Sequence, residues 1–106
     1  METVRLIAAS EVPEGSSLLF TLPTGEEIAL FHEKGQFYAL NNSCPHQGGP
    51  LVAGEVEGGA VTCPWHGWRF ALKSGECLTG GDSCQTYPVI EEDGVLFLRM
   101  PSPPLP

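Results

Sequence analysis

The sequence has no long apolar run and little positive charge. Nowhere do about 18 apolar residues follow one another, so no membrane-spanning helix is expected. The start of the chain lacks a basic segment followed by an apolar run, so no secretory signal is expected. Five Lys and Arg face 13 Asp and Glu, which gives a formal net charge of −8. This charge argues against binding to nucleic acid or to anionic membranes, which both require a basic face. It favours basic surfaces on partner proteins.

A helical signal is also missing. No window of about eleven residues keeps a 3.6-residue apolar period without an interrupting Gly or Pro. Instead, 13 glycines and 10 prolines punctuate the chain, about every eight to twelve residues, which is typical of an all-β protein. Turns are predicted at Thr24–Gly25, Lys34–Gly35 and, as the strongest hairpin signal, Asp93–Gly94. The predicted strands are Val4–Ala8, Leu18–Leu22, Glu26–His32, Gln36–Leu40, Ala60–Cys63, Arg69–Ala71, Gln85–Ile90 and Val95–Arg99.

The composition predicts one small folded domain. The 106 residues are 42% apolar and only 17% charged, which disfavours disorder. Three of the four cysteines and both tryptophans lie between Asn41 and Ser83, in a stretch so rich in Gly and Pro that something other than apolar burial must hold it. Because the chain is expected to be cytoplasmic, the cysteines are predicted to be ligands or free thiols and not a disulfide framework.

Two short motifs each pair one cysteine with one histidine. They are Cys44-Pro45-His46 and Cys63-Pro64-Trp65-His66. A thiolate and an imidazole from each loop could bind Zn²⁺ or a mixed-ligand iron–sulfur cluster. Zinc fingers usually pair Cys with Cys and His with His. Here each motif supplies one cysteine and one histidine, as expected of two equivalent loops around a two-metal centre.

The residues around these motifs resemble the cluster-binding loops of Rieske [2Fe–2S] proteins. Cys44–Leu51 matches the family pattern C-x-H-x-G-x-x-L, and Cys63–Phe70 matches C-P-x-H-G-x-x-F, at every fixed position. The likeness extends to the Lys73–Glu76 turn and to Tyr87–Val89, so it covers most of the chain.

The resemblance implies both a cofactor and a fold. The expected cofactor is one [2Fe–2S] cluster, with the inner iron bound by Cys44 and Cys63 and the outer iron by His46 and His66. The expected fold is all-β, with an antiparallel sandwich or partial barrel as its base. A single domain is expected over residues 1–106, with a cluster-binding subdomain inserted at about residues 41–83. The Pro-rich tail, residues 101–106, is expected to be extended.

Two kinds of Rieske protein have features that this sequence lacks, which reduces the number of functions that the resemblance implies. Gly49 and Trp65 occupy the positions of the inter-loop disulfide found in membrane-anchored Rieske subunits, and no anchor is evident. Only His32 remains for the mononuclear iron of a ring-hydroxylating oxygenase, which needs two histidines. The chain is therefore expected to be a one-electron carrier without catalysis of its own. It would link a reductase, expected to use flavin and NAD(P)H, to a terminal oxygenase or related oxidoreductase.

Two other functions stay open at this point. One is the small subunit of an NAD(P)H-dependent nitrite reductase, and the other is a zinc-stapled interaction module. Outside the motifs, Cys77 and Cys84 are predicted to be ordinary buried thiols and His32 a solvated side chain. Trp65 and Trp68 are predicted to be packing residues, with Trp65 also a candidate for the partner surface.

The resemblance also implies a redox potential and a docking surface. High-potential family members place a Ser and a Tyr hydroxyl near the cluster, and Trp68 and Phe70 occupy those two positions. A potential at the low end of the Rieske range, about −150 mV, is therefore expected. An apolar docking cap is expected around the two histidines, formed by Pro45, Gln47, Pro50, Leu51, Trp65 and Trp68. An acidic rim is expected at Glu55, Glu57, Glu76 and Asp82.

Overall fold

The computed structural model describes residues 3–23, 25–42, 50–64, 67–79 and 83–99. Within these ranges the chain forms antiparallel strands and two single-turn 3₁₀ segments, Ala9–Glu11 and Leu51–Ala53. The strands are β1 Thr3–Ala8, β2 Ser17–Thr21, β3 Glu27–Glu33, β4 Gln36–Asn41, β5 Glu55–Glu57, β6 Ala60–Thr62, β7 Arg69–Ala71, β8 Thr86–Tyr87, β9 Val89–Glu92 and β10 Val95–Arg99. The all-β prediction is confirmed. In the described ranges, no helix is long and apolar enough to cross a membrane.

A four-stranded sheet in the order β2-β3-β4-β8 forms the middle layer. Strand β3 carries a continuous apolar run, Ile28 to Phe31, in which every residue is fully buried. Successive side chains of a strand point to opposite faces. Accordingly, Ile28 and Leu30 belong to one apolar core, and Ala29 and Phe31 to another. Both faces of this sheet are therefore covered.

The first core lies between the middle sheet and a sheet in the order β1-β10-β9. Strand β1 pairs with β10, with Thr3 opposite Arg99, so both ends of the described chain meet in one sheet. Leu96 and Leu98 of β10 are fully buried and pack with Ile28 and Leu30. These two sheets form the antiparallel base that the sequence predicts.

The second core lies under a small sheet in the order β5-β6-β7, which the chain forms between β4 and β8. Val61 and Phe70 are cross-strand neighbours in this sheet, and both are fully buried. They pack with Phe31 and Leu40 on the second face of the middle sheet. This packing fixes the end of β6 and the start of β7, the two strands that flank the second Cys/His motif.

Most predicted strands agree with the structure within one residue. The hairpin at Asp93–Gly94 is confirmed, with φ values of 50° and 77°, as a type I′ turn requires. For the turn predicted at Thr24–Gly25, Thr24 lies outside the described residues.

One strand prediction was wrong, and one strand was missed. The single strand predicted at Gln85–Ile90 is interrupted at Pro88: β8 pairs with β4, whereas β9 pairs with β10. Because Pro88 has no N–H to give to a ladder, the chain changes sheets there. Strand β5 was not predicted, since it is three residues long and only Val56 is partly buried between two exposed glutamates.

Candidate metal centre

The second Cys/His motif begins where β6 ends. The Cys63 N–H donates a hydrogen bond to the Trp68 carbonyl at 2.7 Å, and the Gly67 N–H donates to the Cys63 carbonyl at 3.0 Å. Gly67 has a φ of 70°, a left-handed conformation that favours glycine. The β6–β7 hairpin is thereby closed at its base, directly beside the cysteine.

The Cys63 thiol is buried but has no hydrogen-bond partner among the described residues. Its exposed fraction is 1%, and it borders a cavity of about 390 Å³. The other described lining residues are Ala53, Gly54, Glu55, Thr62, Pro64 and Gly67. A buried sulfur beside a cavity, with no hydrogen-bond partner among the described residues, matches the donor chemistry of a cluster ligand.

The other two described cysteines differ from Cys63. The Cys84 thiol donates to the Asn41 carbonyl at 3.3 Å, and the Cys77 sulfur lies 3.3 Å from the Thr79 hydroxyl. Both residues are buried, and neither is in a disulfide. Both thiols are buried, as predicted.

The end of the first motif packs directly against β6. A Cβ atom on Gly54 would lie 2.2 Å from the Thr62 carbonyl oxygen and 3.1 Å from the Leu51 carbonyl oxygen. No other residue fits there without displacing backbone. Because Thr62 immediately precedes Cys63, this contact brings the end of the first motif next to the start of the second.

Asn42 holds the two ends of the first motif together. Its carbonyl accepts a hydrogen bond from the Leu51 N–H, and its Oδ1 accepts one from the Val52 N–H, both at 2.8 Å. This role of Asn42 was not predicted from the sequence. The available signal was an asparagine two residues before Cys44, since Asn side chains commonly bond to nearby backbone.

Three of the four predicted ligands, Cys44, His46 and His66, lie outside the described residues. The same is true of several predicted surface residues: Pro45, Gln47, Trp65 and Asp82. Among the residues that the structure describes, no three metal-binding side chains come together. Cys63 is the described member of the set, and the described flanks of the two motifs are adjacent.

The predicted surface around the site needs one correction. Leu51 is fully buried and belongs to the second core, so its assignment to the docking cap was wrong. Leu51 begins the 3₁₀ turn Leu51–Ala53, and its side chain packs into the second core. Trp68 is partly buried against the same core, as its packing role predicts. Glu55, Glu57 and Glu76 are exposed as predicted. Leu78, with 50% of its surface exposed, was not predicted.

The prediction that His32 is solvated was wrong. Its side chain is 16% exposed and lies 3.5 Å from the Glu14 carboxylate. Its Nδ1–H donates to the Val12 carbonyl at 2.7 Å, and its ring stacks on Phe37 with centroids 4.1 Å apart. Backbone N–H groups of Gly35 and Lys34 also donate to Glu14, and these bonds hold the pKa of its carboxyl below the ordinary value. The histidine, near the end of β3, is therefore part of a structural contact and largely buried.

Comparison with known proteins places these observations in one family. A family model described as the Rieske [2Fe-2S] domain matches residues 2–90. The 3-phenylpropionate/cinnamic acid dioxygenase ferredoxin subunit of Escherichia coli (strain K12) is 38% identical over 104 residues, which are 95% of this chain and 96% of that protein.

Solved structures give the same fold. A ferredoxin of Sphingomonas yanoikuyae B1 superimposes with a TM-score of 0.85 at 25% identity, over 94% of this chain and 100% of that chain. A Mycobacterium tuberculosis protein assigned as an NADH-dependent nitrite reductase small subunit also gives a TM-score of 0.85 at 25% identity, over 95% and 97% of the two chains. The predicted fold is confirmed.

Proposed function

Since the chain belongs to the Rieske [2Fe–2S] family, we propose that it is the ferredoxin component of a dioxygenase system. Its cofactor is one Rieske-type [2Fe–2S] cluster, which takes up and releases one electron at a time. The observation that carries the proposal is the 38% identity to a dioxygenase ferredoxin subunit over nearly the whole of both chains.

We propose four ligands for the cluster. Cys44 and Cys63 would bind the inner iron, and His46 and His66 the outer iron. The complete match of both motifs supports this set, as does the buried Cys63 thiol, which makes no hydrogen bond to any described residue.

Other described residues around Cys63 would influence the redox potential of the cluster. Leu51, Val61 and Phe70 belong to the same core cluster as Cys63 and are fully buried, so water is excluded on that side of the sulfur. Low solvent access and few hydrogen bonds to sulfur both disfavour the added negative charge of the reduced cluster. Phe70 has no hydroxyl, which supports the proposal of a low potential.

The partners are proposed from charge. Glu55 and Glu57 are exposed, and with Glu33 they line a shallow cavity of about 330 Å³. Glu55 also borders the cavity beside Cys63. Negative charge next to the proposed cluster site would steer basic surfaces of a partner towards it. The proposed partners are a flavin- and NAD(P)H-dependent reductase and a terminal oxygenase.

Three further properties belong to the same proposal. The chain would act in the cytoplasm and would perform no catalysis of its own. Residues 1–106 would form a single domain, in which residues 41–83 make the cluster-binding part.

A second candidate function is the small subunit of an NADH-dependent nitrite reductase. It is favoured by the equally high structural similarity to the protein assigned to that class. The two functions differ in the protein that oxidises the reduced chain: a terminal dioxygenase in the first case and the large subunit of a nitrite reductase in the second.

The test starts from the purified, cluster-loaded protein. Metal and sulfide analysis should give two irons and two sulfides per chain, and the reduced protein should pass electrons to a terminal dioxygenase. Cys63→Ser should lose the cluster, whereas Cys84→Ser, which changes a buried cysteine with its own hydrogen bond, should retain it. A colourless, zinc-loaded protein of full stability would overturn the proposal. Oxidation by a nitrite reductase large subunit alone would select the second candidate.

A further inference from the structure

Among the described residues, Asn42 is the one polar side chain apart from tyrosine that is buried, with 5% of its surface exposed. Burying an amide is costly unless it forms hydrogen bonds. Asn42 forms three with the backbone of distant segments, one through its side chain and two through its own backbone groups. Its N–H donates to the Glu27 carbonyl of β3, its carbonyl accepts from Leu51, and its Oδ1 accepts from Val52, each at 2.8 Å.

These bonds connect three parts of the molecule. The bond to Glu27 fixes Asn42 to the middle sheet, directly after β4. The bonds to Leu51 and Val52 close the chain on itself, because residues 43–50 lie between them in sequence. Asn42 therefore bonds to both residues that follow the segment carrying Cys44 and His46, and it also directly precedes that segment.

A second bond holds the returning end. The Ser17 hydroxyl of β2 donates to the Val52 carbonyl at 2.9 Å, so Val52 is bonded through its N–H to Asn42 and through its carbonyl to Ser17. Leu51 is fully buried in the second core, and Gly54 lies so close to the Thr62 carbonyl that a Cβ atom would not fit. The returning end is thus fixed to the middle sheet on one side and to β6 on the other.

We propose that Asn42 is a positioning residue for the cluster: its side chain fixes Val52, and so sets how residues 42 and 51–52, the two ends of the first motif, lie relative to each other and to the Cys63 hairpin. This inference rests on the proposed ligand set. If the two ends of the motif separate more easily, the proposed ligands between them are held less firmly, and the cluster should be lost faster. Asn42 itself contributes no ligand and contacts none of the described ligands.

The test compares variants of the cluster-loaded protein. Asn42→Leu keeps a similar volume but removes the Oδ1 acceptor and leaves the Val52 N–H unpaired. We expect cluster loss in the presence of a chelator, followed by visible absorbance, to be about tenfold faster, which corresponds to ~1.4 kcal/mol. The electron paramagnetic resonance signal of the reduced cluster should broaden. Asn42→Asp retains an acceptor for Val52 and should restore the wild-type rate to within about threefold.

One control and one further test variant separate a positioning role from an effect on overall stability. Leu96→Ala removes a fully buried side chain of the other core, so it should lower the melting temperature while the resonance signal stays unchanged. Ser17→Ala loosens the second anchor of Val52, and it should accelerate cluster loss in the same direction even if Asn42→Leu does not fold.

The outcomes distinguish this inference from the function on which it rests. A wild-type protein without a [2Fe–2S] cluster would overturn both. The rates of cluster loss are compared at an equal interval below the melting temperature of each variant. If the wild type carries the cluster but Asn42→Leu loses it no faster than Leu96→Ala does, Asn42 has no positioning role. Ser17→Ala takes the place of Asn42→Leu in this comparison if the latter does not fold.

Discussion

Replacing Gly75 with alanine should destabilise the protein severely, for two separable reasons. Gly75 has a φ of 76°, where an L-residue costs about 1–2 kcal/mol. A Cβ atom would also lie 2.0 Å from the Cys84 carbonyl oxygen and 2.9 Å from Thr86 Cγ2. This approach is held by a hydrogen bond from the Cys84 N–H to the Gly75 carbonyl at 2.7 Å. The two segments must separate, which adds about 1–3 kcal/mol of overpacking and about 1 kcal/mol for the lost bond.

The matched control is Gly35→Ala. Gly35 has the same φ of 76° but no atom within 4 Å of its Cβ position, so this variant should show only the conformational cost. At about 4–8 °C per kcal/mol for a domain near this size, Gly35→Ala should lower the melting temperature by roughly 5–15 °C. Gly75→Ala, with about 3–6 kcal/mol in all, should lower it by at least about 12 °C and by more than Gly35→Ala does. Circular dichroism at one heating rate measures both, and equal shifts would refute the argument from close approach.

Three further predictions concern the redox potential, docking and pH. The wild-type redox potential should be near −150 mV by voltammetry, and Trp68→Ser should raise it. An unchanged potential in a variant whose new hydroxyl is shown to bond to a sulfide would contradict this. In stopped-flow measurements, the double variant Glu55→Lys/Glu57→Lys should slow electron transfer to the terminal oxygenase at low salt but not at high salt. Trp65→Ala should slow it at both salt concentrations. If neither variant changed the rate at any salt concentration, the partner must dock on another surface. Because the pKa of Glu14 is lowered on folding, its stabilising contribution is present at neutral pH and is lost as the pH falls below the ordinary value of 4.5. The difference in melting temperature between wild type and Glu14→Gln should therefore shrink in acid, and a difference that grows there would contradict the assignment.

The strands could be predicted where local signals agree. Asp93–Gly94 requires positive φ values that asparagine, aspartate and glycine tolerate best, and the apolar run of β3 favours a buried strand wherever it packs. The first Cys/His motif and the second were also evident, because ligand residues must recur at fixed spacing.

Other features depend on contacts that spacing does not encode. Nothing near His32 in the sequence indicates that Val12 and Glu14 lie beside it. Leu51 occupies a fixed motif position, yet only the turn at Leu51–Ala53 shows that it points into the core. The importance of Asn42 likewise becomes visible only once residues 51 and 52 are seen to return to it.

The pairing of β1 with β10 has a consequence for biosynthesis. Thr3 lies opposite Arg99, so the outer sheet of the base cannot close until β10 has left the ribosome. The hairpins β2-β3 and β3-β4 need only neighbouring sequence and can form early, since closing a short loop costs less entropy. Until β10 arrives, the Ile28 and Leu30 face of the nascent middle sheet stays uncovered. A ribosome that pauses before β10 would therefore expose an apolar surface to chaperones or to aggregation.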